Sequence, residues 1–281
     1  MKILITGASG KLGSALQTAL RAEHDTIGTN SATLDITDYA ACRQRLADLQ
    51  PDLLLHAAAY TDVNGCAQDP QKALRINGLG TQNLAAVTAQ LGIAMLYISS
   101  NEVFDGKLGR AYHEYDAAKP INAYGWGKWY GERALAEVNP RHYIVRTAWL
   151  FAPGGDNFIH AIRQAARRGR ELRVVTNEIS NPTYTRDLAA AIRLLIQSDR
   201  YGTYHLVNEG AVSRWGLARF TLNEAGFADT AITRISSHQW QRPSQPPEYT
   251  PLANIAAASL GIRLRPWQEA VRAFIADEEP G

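Results

Sequence analysis

The chain lacks the features that mark several classes of protein. It has only two cysteines among 281 residues, Cys42 and Cys66, which cannot form a disulfide framework or a four-ligand zinc site. Its 29 basic and 27 acidic residues leave a formal charge of +2, so no strong basic field favours binding to nucleic acid or to a membrane surface. No apolar run approaches the roughly 20 residues that a membrane span requires.

Targeting and metal-binding signals are equally scarce. The apolar stretch that begins at Met1 meets a glycine at Gly7, which is too early for a signal peptide. The seven histidines are scattered, without an HExxH motif or another metal-ligand spacing, so no metal site is expected. We therefore expect a protein of a reducing compartment, the cytoplasm, that binds neither nucleic acid nor membranes.

Short apolar runs alternate with longer amphipathic stretches through the first half of the chain. The predicted strands are Lys2–Thr6, His24–Gly28, Asp52–Ala58, Ala94–Ser99 and Tyr143–Trp149. The predicted helices are Leu12–Leu20, Tyr39–Leu49, Pro70–Leu91 and one that contains Lys128–Glu137. Strands that alternate with helices of this length form βαβ units. The predicted fold is therefore α/β, a Rossmann-type doubly wound parallel sheet with helices on both faces.

The second half of the chain is less regular. Helices are predicted at Asn157–Arg168, at Asp187–Gln197 and from near Ser213, and strands at Leu172–Thr176 and Thr203–Val207. We expect residues 1–150 and 183–208 to form the sheet domain. Residues 151–182 and 209–281 are expected to form a smaller C-terminal lobe. The proline-rich segment Gln241–Pro251 predicts an extended or turn-rich loop, and such loops are often functional.

A glycine-rich loop, Gly7-Ala8-Ser9-Gly10-Lys11-Leu12-Gly13, directly follows the first predicted strand and opens the first helix. Glycines let the backbone turn tightly and approach a pyrophosphate without a Cβ in the way, while the helix N-terminal N–H groups face the anion. Because a GxxGxxG spacing arises easily by chance among 22 glycines, its strand–turn–helix position carries the inference. The loop predicts a dinucleotide site at Gly7, Ser9, Gly10, Lys11, Leu12 and Gly13.

The residues after the second strand leave the choice of coenzyme open. An acidic residue there binds the ribose hydroxyls of NAD, and an arginine binds the 2′-phosphate of NADP. This chain has Gly28-Thr29-Asn30, which is neutral, and Asn30 is placed among the cofactor-binding residues. Asp35 lies past the strand, so it is expected either near the adenine or as the cap of the following helix. Lys11 can meet a 2′-phosphate or remain solvated, so NADP(H) and NAD(H) both stay open.

A tyrosine and a lysine four residues apart, Tyr124 and Lys128, fall on one face of the predicted helix and can reach one site. A free tyrosine has a pKa near 10 and needs its anion stabilised to act as a proton donor, which a nearby ammonium does. Tyr115 and Lys119 have the same spacing, but Pro120 follows immediately and ends any helix. Only the Tyr124 pair is therefore expected to work as acid and activator.

Ser99 and Ser100 end the fourth predicted strand, and ligands bind beyond the carboxyl ends of parallel strands. The hydroxyl of Ser100 is placed to hydrogen-bond a substrate carbonyl and to stabilise the charge that develops as hydride adds to it. We therefore assign Ser100, Tyr124 and Lys128 as the predicted catalytic residues.

Together these motifs resemble the extended short-chain dehydrogenase/reductase superfamily. Four segments narrow the resemblance to the dTDP-4-dehydrorhamnose reductase family of sugar-nucleotide reductases: Ala57–Pro70, Ser99–Gly106, Pro120–Glu132 and Arg146–Phe158. The resemblance continues to the C-terminus through Asn181–Tyr184 with Asp187, Thr203–Leu206, Arg242-Pro243 and Pro266-Trp267. It thus covers almost the whole chain.

The resemblance implies roles for individual residues. Tyr124 would be the proton donor and Lys128 its activator. The dinucleotide would contact Ser9–Leu12, Asp35, Ile36, Ala57, Ala58 and Ala59. Asn101, which replaces an aspartate of the family, and Trp149 would join Ser100 in contacting the sugar. The implied reaction is hydride transfer from NAD(P)H to the C4 ketone of a dTDP-4-dehydro-6-deoxyhexose, as in the formation of dTDP-L-rhamnose, by a monomer or homodimer.

Departures from the family pattern cluster on the substrate side. Glu102 stands where the family has a tyrosine, and Ser180 where it has a glycine. Asn64 and Ala67 replace acidic residues after the third strand. Ala15 stands where some members carry a glutamate of a magnesium-bridged dimer, so the resemblance gives no support for a metal. The identity of the sugar nucleotide therefore stays open.

Two alternatives to a reductase remain. An epimerase or dehydratase keeps its NAD bound without net redox change, but dehydratases carry an acidic pair beside the serine, and this chain supplies only Glu102 there. A non-catalytic regulatory or binding subunit can share the fold, as the regulatory subunit of methionine adenosyltransferase does. The intact Tyr124 and Lys128 favour an enzyme.

Overall fold

Six parallel strands form the centre of the fold in a computed structural model that describes residues 1–154 and 157–278. From one edge to the other the sheet consists of Gly202–His205 (β10), His142–Thr147 (β5), Ala94–Ser100 (β4), Leu53–His56 (β3), Lys2–Thr6 (β1) and Asp25–Thr29 (β2). The order reverses between β1 and β3, which opens a crevice at their carboxyl ends.

Helices cover both faces of this sheet, as predicted. On one face, Lys11–Leu20 (α1) and Thr185–Leu195 (α8) bury leucines and isoleucines against Ile3, Ile5 and Leu55. On the other, Tyr39–Leu49 (α2), Gly80–Leu91 (α5) and Ala123–Val138 (α6) pack on Leu4 and Leu54. Adjacent strand residues thus point to opposite cores, because side chains alternate along a strand. The doubly wound α/β fold is confirmed.

The predicted continuous helix Pro70–Leu91 is interrupted. Two short helices, Val63–Gln68 (α3) and Pro70–Ala73 (α4), precede a π-helical turn at Leu74–Leu79, and α5 follows. Within the turn, buried Asn77 accepts a hydrogen bond from the Tyr60 N–H at 2.8 Å and donates to the Tyr60 carbonyl at 2.9 Å. The widened turn thereby ties the helix to the segment that follows β3, a pairing that helical periodicity does not reveal.

The rest of the chain builds a second layer beside the carboxyl ends of the strands. Its helices are Phe158–Arg167 (α7), Arg214–Glu224 (α9), Ile255–Ser259 (α10) and Trp267–Glu278 (α11). Its strands are Leu150–Phe151 (β6), Leu172–Val175 (β7), Ile179–Ser180 (β8), Thr183–Tyr184 (β9), Val212–Ser213 (β11) and Ile232–Ile235 (β12). Strand β12, which sequence reasoning missed, pairs in parallel with β7.

Two apolar clusters hold this second layer together. Phe151, Tyr184 and Phe274 pack in one, and Ile162, Leu172 and Leu222 pack in the other. The chain returns to the sheet at α8 and β10, and the segment from Ala257 to Leu264 also packs on the sheet core. The division into residues 1–150 with 183–208 and residues 151–182 with 209–281 stays a prediction.

Candidate active site

A cavity of about 680 Å³ lies at the carboxyl ends of the central strands, and it brings together nearly all of the predicted site residues. They are Gly7, Ser9, Gly10, Lys11, Leu12, Gly13, Asn30, Ala57, Ala58, Ala59, Ser100, Asn101, Tyr124, Lys128 and Trp149. A smaller hollow of about 470 Å³, around Asn181 and Leu252, contains none of them. The larger cavity is therefore the candidate site.

Two predicted cofactor residues do not line this cavity. The Asp35 carboxylate accepts hydrogen bonds from the N–H and the hydroxyl of Thr37, at 2.9 and 2.8 Å, which hold its pKa below the usual value. The helix that follows is capped by Asp38 instead. The Ile36 side chain is buried in the core beneath α2 and α5. Contact of either residue with a dinucleotide stays a prediction.

The glycine loop has a shape that suits a pyrophosphate. Gly7 has a φ of +69°, and a Cβ there would lie 2.6 Å from the Ala58 nitrogen. A Cβ on Gly13 would lie 2.1 Å from the Gly7 carbonyl oxygen. The N-cap of α1 is Gly10, so no side chain caps the helix, and its first turn carries no acidic residue. The N-terminus of α1 is thus open toward the cavity and suited to an anion.

Helix α6 positions the predicted acid and its activator. Its N-cap is Asn122, whose side-chain oxygen accepts a hydrogen bond from the Gly125 N–H at 2.8 Å. Glycine is required at 125 because a Cβ there would lie 2.1 Å from the Glu102 carbonyl oxygen. This close contact sets the first turn of α6 against the end of β4. Tyr124 and Lys128 consequently face the same cavity as Ser100.

The ionisation of these groups reflects their burial. Burial and, second, the charge of Glu102 raise the pKa of Tyr124, while the nearby Ser100 hydroxyl lowers it. Burial lowers the pKa of Lys128 from its usual 10.5 to about 7, opposed by the charge of Glu132. The Lys128 ammonium lies 4.2 Å from the centre of the Tyr97 ring. A protonated tyrosine can deliver a proton, and a neighbouring lysine that titrates near neutral pH can assist the loss of that proton.

The predicted sugar-contact residues are held differently from one another. The Asn101 amide donates to the Thr250 hydroxyl at 2.7 Å and to the Ser180 hydroxyl at 3.3 Å, so its nitrogen is engaged within the protein. Trp149 has a positive φ of 41°, uncommon for a residue with a side chain, and the Arg214 guanidinium lies 3.5 Å from the centre of its ring. Trp149 is thus fixed as part of the cavity wall.

Sequence reasoning did not assign several residues that line the cavity. Arg214 reaches it from the start of α9 and pairs with Glu178 at 3.9 Å, and burial lowers the pKa of its guanidinium to about 10. Glu102 was noted as a departure from the family pattern and as the one acidic residue beside the serine, but it was not assigned to the site. No sequence signal marked Arg214, because it follows an ordinary N-cap serine far along the chain.

The described parts of the chain, 1–154 and 157–278, contain no group of three or more histidine, cysteine, aspartate or glutamate residues that could hold a metal ion. Within the same ranges, no helix has the length and apolar character needed to cross a membrane.

Comparison with known proteins extends over the whole chain. The family model described as "RmlD substrate binding domain" matches residues 1–279. The chain belongs to this family. It is 35% identical to the dTDP-4-dehydrorhamnose reductase of Mycobacterium tuberculosis over 98% of this chain and 92% of that protein. It is also 34% identical to the spore coat polysaccharide biosynthesis protein SpsK of Bacillus subtilis, over 98% and 96% of the two chains.

A solved member of the family has the same architecture. The dTDP-4-dehydrorhamnose reductase of Bacillus anthracis, crystallised in complex with NADP, superposes with a TM-score of 0.95 at 31% identity, covering 98% of this chain and 99% of the other. Family membership confirms the resemblance that the sequence motifs indicated.

Proposed function

We propose that this protein reduces the C4 ketone of a dTDP-4-dehydro-6-deoxyhexose with NAD(P)H, converting dTDP-4-dehydro-L-rhamnose to dTDP-L-rhamnose. The observation that carries the proposal is one cavity lined by Ser100, by Tyr124 and Lys128 one helical turn apart on α6, and by a dinucleotide-type glycine loop. Family membership supports the general activity, that of an NAD(P)-dependent oxidoreductase of the dTDP-4-dehydrorhamnose reductase type.

The residues present fit the coenzyme. The open N-terminus of α1 and the glycines beneath it would hold the pyrophosphate, and Ala57–Ala59 would lie along the dinucleotide. Asn30 would lie near the adenine ribose, and neither it nor the adjacent Ser31, which also lines the cavity, carries a negative charge against a 2′-phosphate. When bound, the reduced nicotinamide supplies a hydride to the ketone carbon.

The chain's own residues handle the oxygen of the ketone. The Ser100 hydroxyl would donate a hydrogen bond to it and stabilise the negative charge that develops there. Tyr124 would give its proton to this oxygen, and the Lys128 ammonium would stabilise the tyrosinate left behind. Trp149 would bound the sugar on the far side of the cavity. A monomeric or homodimeric state and a cytoplasmic location stay predictions.

The test follows reduced-nicotinamide absorbance as the protein meets dTDP-4-dehydro-L-rhamnose, with NADPH and NADH in parallel. We expect rapid oxidation that Tyr124→Phe lowers by roughly 10²- to 10⁴-fold in kcat, because general acid catalysis is lost. Tyr115→Phe is the matched control, since Tyr115 is 77% exposed and lies outside the cavity. A protein that binds the coenzyme but oxidises none of it with this sugar would contradict the proposal.

A further inference from the structure

Glu102 stands directly beside the proposed ketone-binding group. Its backbone N–H donates to the Ser100 hydroxyl oxygen at 3.2 Å, and its carbonyl lies against Gly125 of α6. Glu102 lines the same cavity as Tyr124, and its negative charge is near enough to raise the pKa of Tyr124. A carboxylate is therefore held next to the place where a ketone oxygen would bind.

One oxygen of this carboxylate is engaged and the other faces no donor. Glu102 Oε2 accepts a hydrogen bond from Asn122 Nδ2 at 2.7 Å. The Asn122 amide cannot turn over without loss of a bond, because its oxygen accepts from the Gly125 N–H. Among residues 1–154 and 157–278, no group donates a hydrogen bond to Glu102 Oε1. The carboxylate thus has a fixed orientation and a remaining acceptor oxygen.

Neighbouring charges offset one another around this carboxylate. The pKa of Glu102 is raised above its ordinary value, chiefly by burial and also by the charge of Glu178, although the Asn122 hydrogen bond and the charges of Arg214 and Arg242 lower it. Arg214 is itself engaged with Trp149 and Glu178, and Arg242 forms an ion pair with Glu178. No guanidinium therefore neutralises Glu102 by direct contact in the described chain, and its acceptor oxygen remains for a ligand.

The chemistry of the proposed substrate identifies the group that can meet this oxygen. In a 4-dehydro-6-deoxyhexose the carbons that flank the ketone carry a hydroxyl at C3 and a methyl at C5. A carboxylate oxygen accepts a hydrogen bond from a hydroxyl but gains nothing from a methyl, and an unpaired acceptor in a partly buried site is unfavourable. Asn101 is less suited to this role because its acceptor oxygen already receives a hydrogen bond from the Ser100 hydroxyl at 3.3 Å, and its nitrogen donates to Thr250 and Ser180.

We infer that Glu102 determines substrate specificity by accepting a hydrogen bond from the C3 hydroxyl of the sugar, so that the enzyme selects hexoses with a hydroxyl beside the ketone. This inference rests on the proposed function and adds to it the substituent of the sugar that the enzyme recognises, the C3 hydroxyl. A site that is built to pair with a substrate hydroxyl rejects an analogue without it, because the protein group is then left unpaired.

The experiment compares kcat/KM for dTDP-4-dehydro-L-rhamnose and for its 3-deoxy analogue in the wild type and in Glu102→Gln. In the variant, the amide oxygen must face Asn122 Nδ2, so an NH₂ group replaces the acceptor toward the cavity without a change of shape. We expect the wild type to prefer the 3-hydroxy sugar by roughly 10- to 100-fold, from the loss of a hydrogen bond to a charged group. In Glu102→Gln this ratio should fall to a few-fold.

Glu248→Gln makes the same charge change on a residue outside the cavity, and we expect it to keep the wild-type ratio. Thermal melting of each variant confirms folding. Equal efficiency with both sugars in the wild type, or a Glu102→Gln variant that keeps the full wild-type preference, would overturn the inference alone. Absence of coenzyme oxidation with either sugar in the wild type would overturn the proposed function and the inference together.

Discussion

Replacing Lys128 with methionine should abolish activity and at the same time stabilise the fold. Lys128 is only 2% exposed, and the carboxylate whose charge raises its pKa, Glu132, is already bound by Arg146 at 2.7 and 2.9 Å and by the Ser99 hydroxyl at 2.5 Å. Within residues 1–154 and 157–278 the ammonium therefore has no dedicated partner ion, and burial lowers its pKa from 10.5 to about 7. Methionine has a similar length and no charge to bury.

The direction of the pH dependence follows from this pKa. Between about pH 7 and 10.5 the folded protein holds Lys128 neutral, whereas the unfolded chain binds its proton, so stability rises with pH in this window. Below pH 7 the full cost of the charged lysine is present, about 5 kcal/mol at about 1.4 kcal/mol per pKa unit. The cost falls to about 3 kcal/mol at pH 8 and about 1 kcal/mol at pH 10.

Methionine removes this cost and also the contact between the ammonium and the Tyr97 ring, which contributes about 1 kcal/mol at any pH where the lysine is charged. The free energy of unfolding of Lys128→Met should thus exceed that of the wild type by about 4 kcal/mol at pH 6. The advantage should almost vanish at pH 10.

Urea denaturation without coenzyme at pH 6, 8 and 10 measures the difference, with equal m-values as the check that both chains unfold alike. Lys119→Met is the matched control, because Lys119 is an exposed lysine and should show no such trend. A difference between Lys128→Met and the wild type that stays constant across this pH range would refute the reasoning, as would a variant less stable than the wild type at pH 6.

Three further predictions concern the coenzyme. Gly13→Ala should weaken NADP⁺ binding and lower Tm, since its Cβ would lie 2.1 Å from a backbone oxygen of the loop. An NADP⁺ affinity that calorimetry finds unchanged would contradict the proposed pyrophosphate site. Lys11→Ala should raise KM for NADPH several-fold and leave KM for NADH nearly unchanged if its ammonium meets a 2′-phosphate. Equal effects on both would argue against contact between Lys11 and a 2′-phosphate. The kcat/KM for reduced coenzyme reports ionisations of the free enzyme, and it should fall above about pH 7 as Lys128 loses its proton. In Lys128→Arg this fall should disappear, because a guanidinium stays charged. A fall in kcat/KM that persists in the variant belongs to another group.

The choice between two Tyr-x-x-x-Lys segments shows what sequence reasoning achieves. Pro120 predicts that Tyr115 and Lys119 do not share a helix, and the structure has none there, with Tyr115 exposed. Tyr124 and Lys128 do lie on one helix, α6, and both line the cavity. Local backbone chemistry decided this case, because a proline restricts the residue before it wherever it occurs.

Other contacts are not visible in the sequence pattern. The Asp35 carboxylate is engaged by Thr37, and its contact with a dinucleotide stays a prediction. The π-helical turn depends on the contact of Asn77 with Tyr60, two residues brought together only by the fold. Hydrophobic periodicity carries no information about such pairs, since each is one hydrogen-bonding choice among several that the chain permits.

The sequence by itself determined the alternation of strands and helices, the glycine loop after β1, and the residues at the strand ends, because these follow from side-chain periodicity and the steric needs of single residues. Only the tertiary structure placed Arg214 against Trp149, engaged Asn101 with Thr250, and brought Glu102 to the cavity with one of its oxygens bound by Asn122. These contacts join residues far apart in the chain. Their geometry depends on how the second layer packs over the sheet, which no local pattern encodes.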